Sequence, residues 1–366
     1  MTKLRGIGKI KYGNSIIFIK MLKKISSIYN YILPHALIVA GFLIVALSPI
    51  SFYSNNNLSS AKDASAYLQA LEDQENRVIG GDVLINFPGS NPIIPLPIDK
   101  SQYEGSITAG SALIVESRSR QPLFQKNHDE VRPLASITKL MSAIVLMELQ
   151  IDWSSTTTIE QSDGNSDQHI LDGEVYVLDD LWNIALVGSS NRAINALVRA
   201  IGLKTDGFAM LMNKKASELG LKSMSFEEPT GLSKKNIGNA TDVEELLRHA
   251  LRFEKIYQSL LIKEYYANPL NKDKLRRIWS TDWLMTKWIP NDYIHGSIVG
   301  KTGYIPESGY NFVASFTDNS KSHQIIVSIL GAETNEKRFE EARDLADWTF
   351  EHYVWPDDSR YSELVE

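Results

Sequence analysis

Apolar residues follow two rhythms along this chain, and the places where the rhythm changes outline its elements. Ala112-Leu-Ile-Val115 and Pro122-Leu-Phe124 are short apolar runs separated by the polar stretch Glu116 to Gln121, which reads as a β-hairpin. From Leu134 to Leu149 the spacing is helical: Ile137, Leu140, Met141, Ile144, Val145 and Met147 are apolar, and Pro133 precedes the first turn. Helical spacing returns over Leu178 to Val187, Arg192 to Ile201 and Met210 to Leu219, and again in a segment ending at Arg252 that Thr241-Asp242 is expected to cap. Three strand-like runs come next: Ile298-Val299 with the residues that follow, Tyr310 to Phe316, and Gln324 to Leu330. An amphipathic helix, Glu336 to His352, ends the pattern. Strands at both ends with helices between them predict an α+β fold, in which the two ends pair into one antiparallel sheet, helices pack on it and a separate helical lobe forms.

The first hundred residues are of another kind. Tyr31 to Tyr53 is apolar, cleanest from Ala36 to Leu47, and seven positive charges and no negative ones precede it. That asymmetry predicts a membrane-targeting segment with its N-terminus in the cytoplasm. The span is long enough to cross a bilayer, and the small-residue cleavage candidate Ala46-Leu-Ser48 is followed by Pro49, so a retained anchor is favoured over a removed signal. Met21 is an alternative start that shortens the basic region. The expected organisation is a basic cytoplasmic segment (1–30), an anchor or signal (31–53), a stalk and proline-containing connector (54–105), a catalytic domain (106–355) and a tail (356–366), the domain facing away from the cytoplasm.

Charge narrows the range of partners. The 366 residues carry 38 basic and 44 acidic side chains, and residues 1 to 62 contain eight of the basic ones and none of the acidic. The remainder is therefore acidic, 30 against 44, which argues against a nucleic-acid partner. There are no cysteines, so no disulfide framework informs the compartment. Seven scattered histidines (His35, His128, His169, His249, His295, His323, His352) show no paired metal-binding spacing, and neither a metal nor a cofactor is expected.

Three short motifs carry chemistry, in a fixed order: Ser136-Ile-Thr-Lys139, Ser189-Ser-Asn191 and Lys301-Thr-Gly303. By chance a chain of this length shows roughly one or two of the first, about one of the second and about a tenth of the third. Indeed Ser59-Ser-Ala-Lys62 and Ser54-Asn-Asn56 are decoys in a polar stretch. Ser136 and Lys139 lie three apart on a helix and share a face, as a nucleophile and its base require. For Lys139 to accept a proton near neutrality its pKa must fall by roughly 3 units, about 4 kcal/mol, which burial and a second cation such as Lys301 can supply. Ser189 can relay the proton to a leaving amine, and the Asn191 amide can bond the substrate backbone. Lys301 and Thr302 offer a cation and a hydroxyl to a carboxylate. Gly303 lets the strand come close to the Ser136 helix, and the backbone N–H groups of Ser136 and Tyr304 can stabilise an oxyanion.

With these motifs in place, residues 106 to 353 resemble the serine D-alanyl-D-alanine carboxypeptidases and endopeptidases, the low-molecular-mass penicillin-binding proteins. The resemblance extends through Arg132-Pro-Leu-Ala-Ser-Ile-Thr-Lys-Leu140, Glu228-Pro-Thr-Gly-Leu232, Gly300 to Tyr304, Ser308-Gly-Tyr-Asn-Phe-Val-Ala-Ser315 and the helix from Arg338 to Trp348. It implies a β-lactamase/transpeptidase-like fold, with Ser136 acylated, Lys139 accepting the proton, Ser189 as third catalytic residue and Lys301 contacting the substrate carboxylate. It also implies peptidoglycan stem peptides as substrate, β-lactams as covalent inhibitors and a bacterial membrane location. Removal of a terminal D-alanine is the expected reaction, with cross-link cleavage as the alternative. Two departures stand out: Arg192 occupies a position commonly acidic in the family, and Ser280-Thr-Asp-Trp283 replaces an asparagine-bearing segment. A class A β-lactamase ranks lower, because Glu227 and Glu228 lack the context of its water-activating glutamate. An inactive wall-binding module ranks lower too, because the motif residues are intact.

Overall fold

The computed structural model describes residues 94–99, 102–164, 169–291, 296–318, 320 and 322–365. The basic segment, the expected anchor at 31–53 and nearly all of the stalk lie outside the described residues. Among the described residues, no helix is long and apolar enough to cross a membrane.

One five-stranded antiparallel sheet organises the fold, in the order Ile298–Ile305, Gly309–Thr317, Gln324–Ala332, Ser111–Glu116, Pro122–Lys126. The two ends of the pattern pair as expected: Ala112 faces Ile329 and Ile114 faces Val327, so the first strand of the sheet lies beside the last. All six residues of Ser111–Glu116 are buried, and their side chains divide by alternation. Leu113 and Val115 join the core of the helical lobe, whereas Ala112 and Ile114 join a second core beneath the helix Lys337–His352. Both faces of the sheet are therefore covered, which explains why these strands read as unbroken apolar runs and not as alternating ones. Phe339, Ala342, Leu345 and Ala346 form the apolar face of that terminal helix.

The lobe contains the helices Thr138–Glu148, Leu178–Val187, Asn191–Ala200, Thr205–Glu218, Ala240–Ala250 and Glu254–Leu260. Three expectations are corrected. The helix expected from Leu134 begins at Thr138, behind a separate 3-10 turn, Ala135–Ile137, because Ala135 sits at φ +49° and interrupts the helical path. The expected Thr241-Asp242 cap is made by Asn239, whose side chain accepts from the Asp242 amide at 2.8 Å. The end of the expected connector also enters the fold: Leu96–Pro97 pairs with Tyr353–Val354, and the Tyr361 hydroxyl donates to the Ile94 carbonyl.

Glu264–Ala267 and Arg276–Trp279 form a further hairpin, which no apolar alternation in the sequence announces. Its inner face, with Ala267 and Ile278 buried, rests on the lobe. Its backbone leads directly into the segment Ser280 to Trp283, where Thr281 touches Thr302 of the strand carrying Lys301.

Candidate active site

The three motifs converge where the lobe meets the edge strand of the sheet. Ser136 is half-buried on its 3-10 turn, and the left-handed Ala135 before it turns the backbone so that the serine faces the strand Ile298–Ile305. Lys139, one turn on, is fully buried, and its Nζ lies 2.9 Å from Ser136 Oγ, 2.6 Å from Asn191 Oδ1 and 2.7 Å from the Thr230 carbonyl. The two carbonyl-type oxygens can only accept, so they use two N–H bonds. The third position faces a hydroxyl, which can accept from an ammonium or donate to a neutral amine.

Ser189, Ser190 and Asn191 divide their roles. Ser190 caps the helix Asn191–Ala200 by accepting from the Ala193 amide at 3.0 Å. Ser189, held at φ +60°, points the other way and accepts from Lys301 Nζ at 2.8 Å. Arg192 turns away from the site. It donates to the carbonyls of Ile170 and Glu160 and pairs with Asp172, binding the loop ahead of it to the helix.

Lys301 is as buried as Lys139. Burial holds its ammonium well below the ordinary lysine range, nearby Lys139 and Arg338 lower it further, and Asp282 opposes them. The two amines therefore lie close enough for the charge of Lys139 to disfavour the Lys301 cation. Thr302 Oγ1 is 2.6 Å from Thr281 Oγ1. The close approach expected of Gly303 is also present: a Cβ there would sit 2.7 Å from the Leu134 carbonyl oxygen and 3.1 Å from the Ser136 nitrogen. Tyr304 is exposed, its ring stacked on Tyr310 at 4.3 Å.

Several residues outside the three motifs support the site. The Thr230 carbonyl that meets Lys139 belongs to Glu228-Pro-Thr-Gly-Leu232, a loop knotted around two side chains. The Glu228 carboxylate accepts from the amides of Thr230, Gly231 and Ser233, and Asn236 bridges Glu228 to Thr138. With its oxygens committed to backbone amides, Glu228 is not placed to activate water. Gly231 touches the turn that carries Ser136 so closely that a Cβ would lie 1.9 Å from the Ala135 carbonyl oxygen. From behind the sheet, Arg338 donates to the carbonyls of Gly303 and Asn311, while Asn311 donates to those of Pro133 and Leu134. Burial pushes the Asp282 carboxyl up to about 6, against its backbone hydrogen bonds, Arg338 and Lys301. The Arg338 guanidinium is drawn down to about 10 by its own burial, and Asp282 opposes that shift.

Two serines, two buried amines, an amide and a threonine hydroxyl thus come together at one place, and comparison with known proteins gives that arrangement its relatives. A family described as D-alanyl-D-alanine carboxypeptidase matches residues 98–334, more than half of the chain. A D-alanyl-D-alanine endopeptidase of Pseudomonas aeruginosa is 28% identical over 259 residues, covering 69% of this chain and 81% of its own. A D-alanyl-D-alanine carboxypeptidase of Bacillus subtilis is 30% identical over 253 residues, covering 67% of this chain and 63% of its own, so this chain spans less than two-thirds of that relative. Among solved structures, penicillin-binding protein D2 of Listeria monocytogenes in its ampicillin-bound form shares the fold, with a TM-score of 0.57 at 24% identity over 67% of this chain and 98% of that one. On the family match and the conjunction of all three motifs in one cleft, the chain belongs to the D-alanyl-D-alanine carboxypeptidase family.

Proposed function

We propose that this protein removes the terminal D-alanine from peptidoglycan stem peptides through an acyl-enzyme on Ser136. The observation that carries the reading is the pair of bonds made by Lys139 Nζ, to Ser136 Oγ and to Asn191 Oδ1, with Lys301 joined to Ser189 across the same cleft. In this reading the substrate carboxylate lies between Lys301 and Thr302, and its arrival stabilises the Lys301 cation that burial disfavours. Ser136 Oγ attacks the D-alanyl carbonyl while its proton passes to neutral Lys139. The amides of Ser136 and Tyr304 receive the developing oxyanion. As the intermediate collapses, the carbon–nitrogen bond breaks and Ser189 relays the proton from Lys139 to the departing amine. Water then releases the acyl group and restores Ser136. The Asn191 amide orients the acyl-side backbone, and no cofactor takes part.

A β-lactam carries the same carboxylate and a strained amide, so it would acylate Ser136 and remain there. The ampicillin-bound Listeria relative supports this expectation by fold alone. The residues ahead of the domain would tether it to the outer face of a bacterial membrane, a reading supported by the seven cations that precede the apolar run. Protease added to intact spheroplasts should digest the domain, and full protection would contradict this orientation.

Cleavage of a D-alanyl cross-link is the second reading. It is favoured by the fuller coverage of the Pseudomonas endopeptidase, 81% of its length against 63% for the Bacillus carboxypeptidase. Supplying a pentapeptide monomer and a cross-linked dimer together, with products identified by mass, tests both. Free D-alanine supports the first reading, monomers without free D-alanine replace it with the second, and no turnover of either refutes both.

A further inference from the structure

The outward face of the 264–279 hairpin is aromatic. Tyr266 and Trp279 are 53% and 41% exposed, and Trp288 just beyond them is 56% exposed. Trp279 and Trp288 belong to one connected strip, which Arg277 links to Tyr266. Trp279 lies 6.2 Å from Trp288, Trp288 lies 5.4 Å from Trp283, and Trp283 stacks on buried Phe339. Arg277, the cross-strand partner of Tyr266, sits over the Trp279 ring at 4.3 Å and pairs with Glu264 on the same face, a partner that an incoming carboxylate would replace. The surrounding charge is also unusual. Residues 263 to 288 contain six basic and three acidic side chains within an acidic domain. Exposed tryptophans held in place by ring and cation contacts mark a binding surface.

The strip is continuous with the site. Thr281, whose hydroxyl meets that of Thr302, is two residues from both Trp279 and Trp283, within about 7 Å along the backbone. Ile278, on the opposite face of the same strand, packs under the Gly188-Ser189 turn. Lys301 and Thr302 hold the carboxylate of the leaving group in the proposed reaction, so the strip lies where that group extends out of the cleft. A leaving D-alanine has only a methyl group there. A leaving peptidoglycan strand has a second stem peptide, which is anionic, followed by an amino sugar whose pyranose face can lie on an aromatic ring.

We propose that Tyr266, Trp279 and Trp288, with Arg277, bind the departing strand of a cross-linked peptidoglycan dimer, the rings holding its amino sugar and the cation its stem carboxylates. This inference rests on the reading of Ser136 as the acylated nucleophile and takes cross-link cleavage, the second reading above, as a reaction of the same site alongside removal of terminal D-alanine. In the reaction the cross-link amide breaks, the D-alanyl carbonyl bonds to Ser136 Oγ, and the second strand leaves as an amine carrying the relayed proton. An anionic membrane is a weaker occupant, because the hairpin turn is bonded back to the lobe: Leu270 N donates to the Val175 carbonyl and Asn271 Nδ2 to that of Gly173.

The test compares Trp279→Ala and Trp288→Ala with wild type on three substrates: a disaccharide-pentapeptide monomer, a cross-linked disaccharide-tetrapeptide dimer and the same dimer stripped of sugar. The expected result is a fall of about tenfold in kcat/KM on the intact dimer, with the monomer and the rate of β-lactam acylation changed less than twofold. The sugar-free dimer should be the poorer dimer substrate for wild type and the less affected by either substitution. Equal losses on all substrates, or no loss on the intact dimer, would overturn the proposal. So would retained dimer turnover with lost co-sedimentation on phosphatidylglycerol vesicles, which would identify a membrane surface. If neither D-alanyl bond is cut by wild type, the functional reading fails separately. Dimer binding to Ser136→Ala, followed by tryptophan fluorescence, then decides the strip alone: saturable binding lost in Trp288→Ala supports it, and no binding refutes it.

Discussion

Replacing Gly303 with alanine should disable the site while leaving most of the fold intact, and the structure sets the size of the effect. The new methyl would lie 2.7 Å from the Leu134 carbonyl oxygen and 3.1 Å from the amides of Ser136 and Ile137. All three partners are backbone atoms, so no side chain can rotate to relieve the contact. Restoring an ordinary contact of 3.4 Å to Leu134 requires about 0.7 Å of separation between the strand and the nucleophile's turn. Misplacement by about 1 Å costs on the order of a hundredfold in rate, so acylation should slow roughly tenfold to a hundredfold, about 1.4 to 2.8 kcal/mol. Overpacking of this kind also lowers stability by about 1 to 3 kcal/mol, visible as a fall in Tm. The assay is the second-order rate of labelling by a fluorescent penicillin, well below the melting transition of the variant and normalised to folded protein. An acylation rate within threefold of wild type would show that the close approach at Gly303 does not set the geometry of Ser136.

Ser136→Ala should abolish covalent penicillin labelling, and peptide mapping of wild type should place the adduct on Ser136; an adduct that persists in the variant would point to another nucleophile. Lys301→Gln removes a neighbouring cation from Lys139, which favours the protonated base, so the ascending limb of acylation against pH should move to higher pH. An unmoved limb would mean that Lys301 carries no charge in the free enzyme. Asp282, raised by burial to about 6, contributes stability that is fully present below its unfolded value and lost as pH rises through about 6. Chemical denaturation of wild type and Asp282→Asn between pH 4 and 7 should therefore show the difference moving towards the variant with rising pH, by on the order of 3 kcal/mol at most. A difference that stays flat would exclude Asp282 as the titrating group.

Periodicity made most of the architecture legible, because most of the helices and strands bury a face whose spacing survives in the sequence. Leu178–Val187 was read to the residue, and the five sheet strands each contained their expected core. What escaped has identifiable causes. Ala135 adopts a left-handed conformation that alanine gives no hint of, so the short turn carrying Ser136 was merged into the following helix. The hairpin at 264–279 buries only Ala267 and Ile278 among its strand residues and displays the rest, leaving no apolar alternation to detect. Ser136, Lys139, Ser189, Asn191, Lys301 and Gly303, which the structure brings together, are legible in the sequence as motifs of residue type and spacing. Thr230 is not, since it contributes a main-chain carbonyl, and the clue was the carboxylate and amide of Glu228 and Asn236 that hold its loop.

The pairing of Ala112 with Ile329 has a consequence for how the enzyme comes into being. The helical lobe is inserted between the first strands of the sheet and the last, so the core beneath Lys337–His352 cannot close until the C-terminal strands have been synthesised. Contacts of such long sequence separation form late and slowly. Ser136 and Ser189 belong to the part made early, whereas Lys301 arrives on the strand that completes the cleft. In the proposed mechanism a nascent or truncated chain would therefore hold the serine without the lysine that grips the carboxylate, and the three motifs come together only when the two ends of the polypeptide meet.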